Sequence, residues 1–188
     1  MFNILTIYKQ PDTVFSTTEL ALIFAEEQPV KLKKKLNYAT KTGKLLSLRR
    51  GIYAKEGYSS RELATKIYTP SYISLETVLI DHGITFQHNT TITAISYVSR
   101  QIICDDLTIQ YRKTRDYILT NKAGIVNTET YFEATLERAF LDALFLYRDY
   151  HFDNLAPINW DKLFALLPIY GASKRMKEKI DLYRAHDI

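Results

Sequence analysis

The sequence predicts an α+β protein, on three observations: a basic helix-then-hairpin stretch from Lys31 to Tyr53, strand-like alternation from Thr90 to Tyr111, and a nearly all-apolar helical run at 131–150. The expected organisation is two domains. Residues 1–57 form a winged helix-turn-helix, and residues 58–188 form a mixed α/β-containing domain with a small, mainly antiparallel sheet.

With 46% apolar and 13% aromatic residues in a 188-residue chain, a disordered protein is excluded and a sizeable core is affordable. No apolar run approaches the roughly 20 residues that cross a bilayer. The start MFNILTIYKQ has neither the basic n-region nor the small-residue cleavage site of a secretory signal, and the single Cys104 cannot form an internal disulfide. A cytoplasmic protein is expected. The net charge of +4 is unevenly spread: residues 1–57 hold 10 Lys+Arg against 5 Asp+Glu, and residues 58–188 hold 15 against 16. The N-terminal third is where a polyanion would be steered.

In chain order, Phe2 to Lys9 reads as a first helix with Ile4, Leu5 and Tyr8 as core contacts, broken by Pro11-Asp12. Ser16 and Glu19 make a capping box behind the staple residue Phe15, starting a second helix that runs to about Phe24. Residues 25–28 are a connection of helix-turn-helix length. Pro29 then suits a first helical turn and Gly43 the position just past a helix end, which predicts a third helix from Pro29 to Thr42.

On that helix Leu32, Leu36 and Ala39 make one apolar stripe, while Lys34, Tyr38 and Lys41 repeat the same spacing about half a turn away. Leu45, Leu46 and Leu48 lead to Arg49-Arg50-Gly51 and back through Ile52-Tyr53, a hairpin with two arginines at its tip. Lys31 to Tyr53 holds eight basic side chains, and no Asp or Glu lies between Glu27 and Glu56. A helix kept merely soluble mixes both signs. Lys31, Lys34, Lys35, Tyr38, Lys41, Lys44, Arg49 and Arg50 are therefore the expected duplex-DNA contacts, with the helix in the major groove and the hairpin along phosphate or minor groove.

Gly57 to Ser60 reads as a junction and Arg61 to Tyr68 as a short helix. Ser71 or Ser74 is expected to cap a helix through Leu79, ended by His82-Gly83. Strands are expected at 91–97, 101–104 and 107–111, with extensions at 116–119 and 123–127. Residues 131–150 should be a buried central helix. Two more helices follow, at Trp160 to Leu167 and Ser173 to His186, the last carrying Lys174, Arg175, Lys177 and Lys179 as candidate partner-binding residues.

Four blocks in this order, GKLLSLRRGIY (43–53), YTPSYISLETVLIDHGI (68–84), TITAIS (91–96) and LERAFLDAL (136–144), resemble the AbiEi family of bacterial antitoxin regulators. The resemblance spans most of the chain. It implies a winged helix that represses the operon encoding antitoxin and toxin, as part of phage defence, and a C-terminal domain that antagonises a nucleotidyltransferase-like toxin.

The sequence contains no glycine-rich phosphate loop, no G-x-S-x-G elbow and no Gly-Ser followed by the paired aspartates of a nucleotidyltransferase. His82, His88, His151, His186 and Cys104 are scattered, and they predict neither a metal site nor a cofactor. Glu133, Glu137 and Asp142 lie on the apolar helix; the structural expectation is a paired acid reaching Arg138, Ser74 or Tyr72. The competing enzymatic reading, a metal-dependent nuclease, requires Glu76, Glu137 and Asp142 to converge. A third reading is a protein-binding adaptor whose lysines are only solvated.

Overall fold

In the computed structural model, residues 4–87, 90–171 and 173–186 are described, apart from the side chain of His186. The expectations for Phe2, His88 and the His186 side chain lie outside the described residues.

The chain is α+β. Its N-terminal part runs α1 (Leu5–Tyr8), β1 (Val14–Ser16), α2 (Thr17–Ile23), α3 (Pro29–Lys41), β2 (Leu46–Arg49) and β3 (Ile52–Ala54). The capping box forms: Ser16 Oγ accepts from Glu19 N and Glu19 Oε2 accepts from Ser16 N. β3 is the middle strand of a three-stranded antiparallel sheet in the order β1-β3-β2. β1 was not expected, because three residues are too short to show alternation. In α1 the buried residue is Ile7, whereas Leu5 and Tyr8 are 60% and 48% exposed, since a single turn can turn only one side inward. Ile7, Phe15, Leu20, Leu32, Leu36, Ala39 and Leu45 form a small core of their own.

The remaining chain runs α4 (Ser60–Ile67), β4 (Ser71–Ile73), α5 (Glu76–Asp81), β5 (Ile92–Ser96), β6 (Arg100–Cys104), β7 (Leu107–Lys113), α6 (Asp116–Leu119), β8 (Ile125–Asn127), β9 (Phe132–Ala134), α7 (Leu136–Leu146), α8 (Trp160–Leu166), a 3-10 turn (Leu167–Tyr170) and α9 (Lys174–His186). Strands β4 to β9 make one six-stranded sheet, in the order β6-β7-β5-β4-β9-β8.

That sheet is mixed, which corrects the mainly antiparallel expectation. The β6–β7 hairpin folds so that β6 takes the edge and β7 lies beside β5, running in its direction; β4 and β9 are also parallel. Residues 116–119 form α6 in place of a strand, with the consecutive residues Ile118 and Leu119 both buried, as alternation would not allow. Phe132–Ala134 pairs with β8 and β4, so the central helix starts only at Leu136 behind the cap Thr135. Ser71 and Ser74 do not cap α5. Its first turn instead gives the Thr77 N–H to Thr93 Oγ1 on β5, at 3.0 Å.

α7 is buried from Leu136 to Leu144 and packs against α5, α8 and β9. Among the described residues no helix is long and apolar enough to cross a membrane.

The segment following residue 57 is docked firmly to the N-terminal part. The buried Glu62 of α4 accepts from Thr13 N at 2.9 Å, Thr13 Oγ1 at 2.6 Å and Val14 N at 3.1 Å. Lys66 reaches Glu19 and, at 3.2 Å, Asp12. Cys104 at the end of β6 donates to the Leu48 carbonyl of β2. Val14, Ile52 and Ala54 belong to the large core with α4, α5 and α7. The hairpin β2–β3 thus rests on the second part of the chain.

Candidate nucleic-acid interface

α3 turns Leu32, Leu36 and Ala39 into the small core and leaves Lys31, Lys33, Lys34, Tyr38 and Lys41 exposed. Its last turn closes with Gly43 at φ +68 and the Lys44 N–H on the Ala39 carbonyl, which brings Lys44 back over the helix. Lys44 Nζ lies 5.7 Å from the centre of the Tyr38 ring, and Tyr8 OH donates to the Lys44 carbonyl at 2.8 Å. Tyr38, 58% exposed, therefore has a cation near one face of its ring.

At the hairpin, Arg49 and Arg50 are exposed. Gly51 takes φ +82, a conformation a side chain would strain, and its carbonyl accepts from Thr17 N at 2.9 Å and from Thr17 Oγ1 at 3.2 Å. These bonds fix the tip to the start of α2. Between α2, α3 and the tip runs a groove of about 520 Å³ whose walls include Thr17, Thr18, Lys33, Leu36, Arg50 and Tyr53.

Seven of the eight sequence-predicted contacts, Lys31, Lys34, Tyr38, Lys41, Lys44, Arg49 and Arg50, are exposed on α3, at its end, or on the hairpin. Lys35 differs. Its Nζ lies 2.5 Å from Glu26 Oε2, and that hydrogen bond holds the Glu26 carboxyl below its usual range. The acidic partner comes from the α2–α3 connection, nine residues back and beyond any i, i+4 reading. Sequence reasoning left Lys33 out of the candidates; that it lines the same groove as Arg50 becomes visible only once the hairpin is placed. Glu26 and Glu27 also line the groove and balance Lys33 and Arg50, so the excess positive charge lies outside it, on the exposed Lys31, Lys34, Lys41, Lys44 and Arg49.

The second part of the chain holds a different kind of charged site. Asp142, 1% exposed, accepts from Tyr170 OH at 2.7 Å, Ser74 Oγ at 2.8 Å and Tyr72 OH at 3.1 Å. Arg138, on the same helix one turn earlier, gives Nη2 to the Ile118 carbonyl at 2.7 Å and Nη1 to the Ala123 carbonyl at 2.9 Å. Its Nε is 3.7 Å from Asp142 Oδ1. Burial pushes the Asp142 carboxyl up, while Arg138 and the three hydroxyls pull it back. Burial, together with the neighbouring Asp142, raises the Tyr72 and Tyr170 hydroxyls well above their usual range, so both remain donors. The paired-acid reading with Arg138, Ser74 and Tyr72 is what the structure has; Tyr170 was the member not expected.

Glu137 is buried beside the Asn159 N–H at 3.4 Å, and Glu76 belongs to the neighbourhood of Tyr147. Among the described residues no three His, Cys, Asp or Glu side chains form a group able to hold a metal ion, so the convergence of Glu76, Glu137 and Asp142 that the nuclease reading requires is not present. Nor are the described histidines clustered: His82 Nδ1 contacts the Val78 carbonyl at 2.9 Å, and His151 lies 3.5 Å from Asp153. A cavity of about 840 Å³ is lined by Arg61, Asp81, His82, Glu133, Glu137 and Lys162, but Arg61 is already shared between Asp81 and Glu133.

The four residues predicted on α9 separate. Lys174 and Lys177 border a groove of about 600 Å³ with Phe164, Leu167 and Pro168. Arg175 and Lys179 instead turn to the Arg148 carbonyl.

No protein-family model matches the chain, and no curated protein is significantly similar to it.

Proposed function

We propose that residues 1–57 are a winged helix-turn-helix that binds duplex DNA, and that the protein is a transcriptional repressor and antitoxin resembling the AbiEi family. The observation that supports this most is the exposed face of α3, with Lys31, Lys34, Tyr38 and Lys41, next to a hairpin tip carrying Arg49 and Arg50, the helix and the tip lining one groove through Lys33 and Arg50. A helix buried along one stripe and cationic along another, beside a basic hairpin tied to the preceding helix, is the shape that enters a major groove while contacting flanking phosphates.

Within that reading Lys34 and Tyr38 reach base edges, and Lys33, Lys41, Lys44, Arg49 and Arg50 hold phosphates. Lys31 supports the backbone contacts, and Lys35 orients α3 through Glu26. The antitoxin half rests on the resemblance: residues 58–188 would meet a nucleotidyltransferase-like toxin, with Lys174 and Lys177 beside their apolar groove as the first contacts to test.

The test is binding of the full chain to the duplex upstream of its own gene, with Arg49→Ala/Arg50→Ala as the comparison. The double variant should weaken binding at least tenfold at physiological salt. Unchanged affinity would remove the hairpin from the interface and the winged-helix reading with it.

A further inference from the structure

A second basic surface, at the end of β7, on α6 and at the end of α7, combines cations with aromatic rings. Arg112 at the end of β7 places its guanidinium 5.5 Å from the centre of the Tyr147 ring, and Tyr147 stacks on Tyr150 at 5.3 Å with the planes 16° apart. Three residues further on, Arg115 lies 5.7 Å from the Phe145 ring and 5.9 Å from the Tyr117 ring, and its Nη1 donates to Tyr117 OH at 3.1 Å. Phe145 and Tyr147 close α7, so the two arginine–aromatic stacks are neighbours. Arg148 follows directly, and its carbonyl accepts from Arg175 at 3.3 Å and from Lys179, which carries the surface onto α9.

Arg112, Lys113, Arg115, Arg148 and Arg175 are exposed, and among the described residues none of the five lies within ion-pair distance of a carboxylate. Lys179 has Asp149 at 4.0 Å. Asp116, Glu76 and Asp153 are further acids near this surface, the first in the opening turn of α6, the second interacting with Tyr147 and the third with Tyr150. Positive charge is in excess here, although residues 58–188 as a whole are nearly neutral.

We infer that this surface binds single-stranded RNA. The exposed ring of Tyr117 and the half-buried rings of Phe145 and Tyr147, each with a guanidinium beside it, offer aromatic surface on which unpaired bases stack, and the flanking cations follow the phosphates between them. A duplex hides its base faces and could use only the charges. RNA, unlike genomic DNA, offers loops and ends with bases already unstacked. Tyr117, 49% exposed and braced by Arg115, is the ring best placed to take a base. This inference stands apart from the duplex-binding reading, because the residues belong to different parts of the chain.

The probe is fluorescein-labelled oligouridine of 20 nucleotides, titrated with full-length protein carrying Lys34→Ala, Arg49→Ala and Arg50→Ala so that the N-terminal face is quiet. The RNA should bind at least tenfold more tightly than a 20-base-pair duplex and at least as tightly as oligothymidine of the same length. Adding Arg112→Gln/Arg115→Gln should weaken it tenfold or more, and Tyr117→Ala roughly fivefold or more, while Tyr117→Phe retains binding. Photo-crosslinking with 5-iodouridine should attach the RNA at Tyr117 or Tyr147. Equal binding of RNA and duplex, a preference for oligothymidine, or RNA binding untouched by the Arg112/Arg115 and Tyr117→Ala variants would overturn the inference. All the substituted positions are exposed, so an unchanged thermal midpoint separates loss of binding from loss of fold.

Discussion

α3 and α7 both carry charge on an apolar framework, and they treat it in opposite ways. On α3 the apolar stripe is narrow, and its cations, Lys35 apart, project into solvent. On α7 burial extends around the helix, and the charges of Arg138 and Asp142 are enclosed by tyrosine, serine and backbone carbonyl partners. Charge left in water with no partner is available to a polyanion and contributes little to folding. Charge enclosed with its partners contributes nothing to recognition and fixes how elements pack. The contrast teaches that a count of basic and acidic residues says little about function until each is known to be solvated or paired.

The sharpest way to break that contrast is to leave one charge of the α7 network unpaired. Arg138→Ala, which leaves the buried Asp142 without its counter-charge and two carbonyls without their donor, should lower stability by about 3–5 kcal/mol in urea unfolding. A loss below about 1 kcal/mol would mean that the network is solvated and that α7 is no different from α3.

The opposite manipulation, Arg49→Ala/Arg50→Ala, should leave the unfolding midpoint within about 0.5 kcal/mol of the parent. It should also reduce the slope of log affinity against log salt by about 2. Equal losses of stability and of binding would show the hairpin arginines to be structural. Tyr38→Ala probes the proposed base contact, and discrimination between the operator and an unrelated duplex should fall by roughly 1–3 kcal/mol. A uniform loss over both sequences would move Tyr38 to the phosphate group.

A smaller effect concerns the joint between the two parts. Burial alone would raise the Glu19 carboxyl, but hydrogen bonds from Lys66 and Ser16 outweigh it and hold Glu19 below its usual range. A depressed acid contributes stability above the ordinary carboxylate pKa of about 4.3, and that contribution is lost as pH falls through the folded value. The gap in stability between the parent and Glu19→Gln should therefore be open at pH 7 and narrow towards pH 3. A gap independent of pH would assign Glu19 a packing role only.

Much of α3 and its hairpin was legible because the signals are local: Pro29, Gly43, the Leu32/Leu36/Ala39 spacing and the Gly51 turn lie within one stretch. Asp142 was legible for a related reason, since a carboxylate on an otherwise apolar helix needs partners, and Arg138 sits one turn away. What the sequence hid is non-local. Three-residue strands such as β1, β4 and β9 exist because a neighbour supplies their hydrogen bonds, as with Ile73 against Glu133. The cap of α5 comes from Thr93, sixteen residues distant, and the partner of Lys35 comes from across a connection. The Arg112–Tyr147 and Arg115–Phe145 contacts join residues thirty or more positions apart, which no window of local periodicity includes.

The central claim, that the solvated cations of α3 and the hairpin exist to meet DNA phosphates, is tested most directly by the salt dependence of binding to the duplex upstream of the gene. Four to six neutralised phosphates per protomer should give a log–log slope of about −4 to −5. A slope near zero would contradict it and leave those lysines and arginines as a solvated surface.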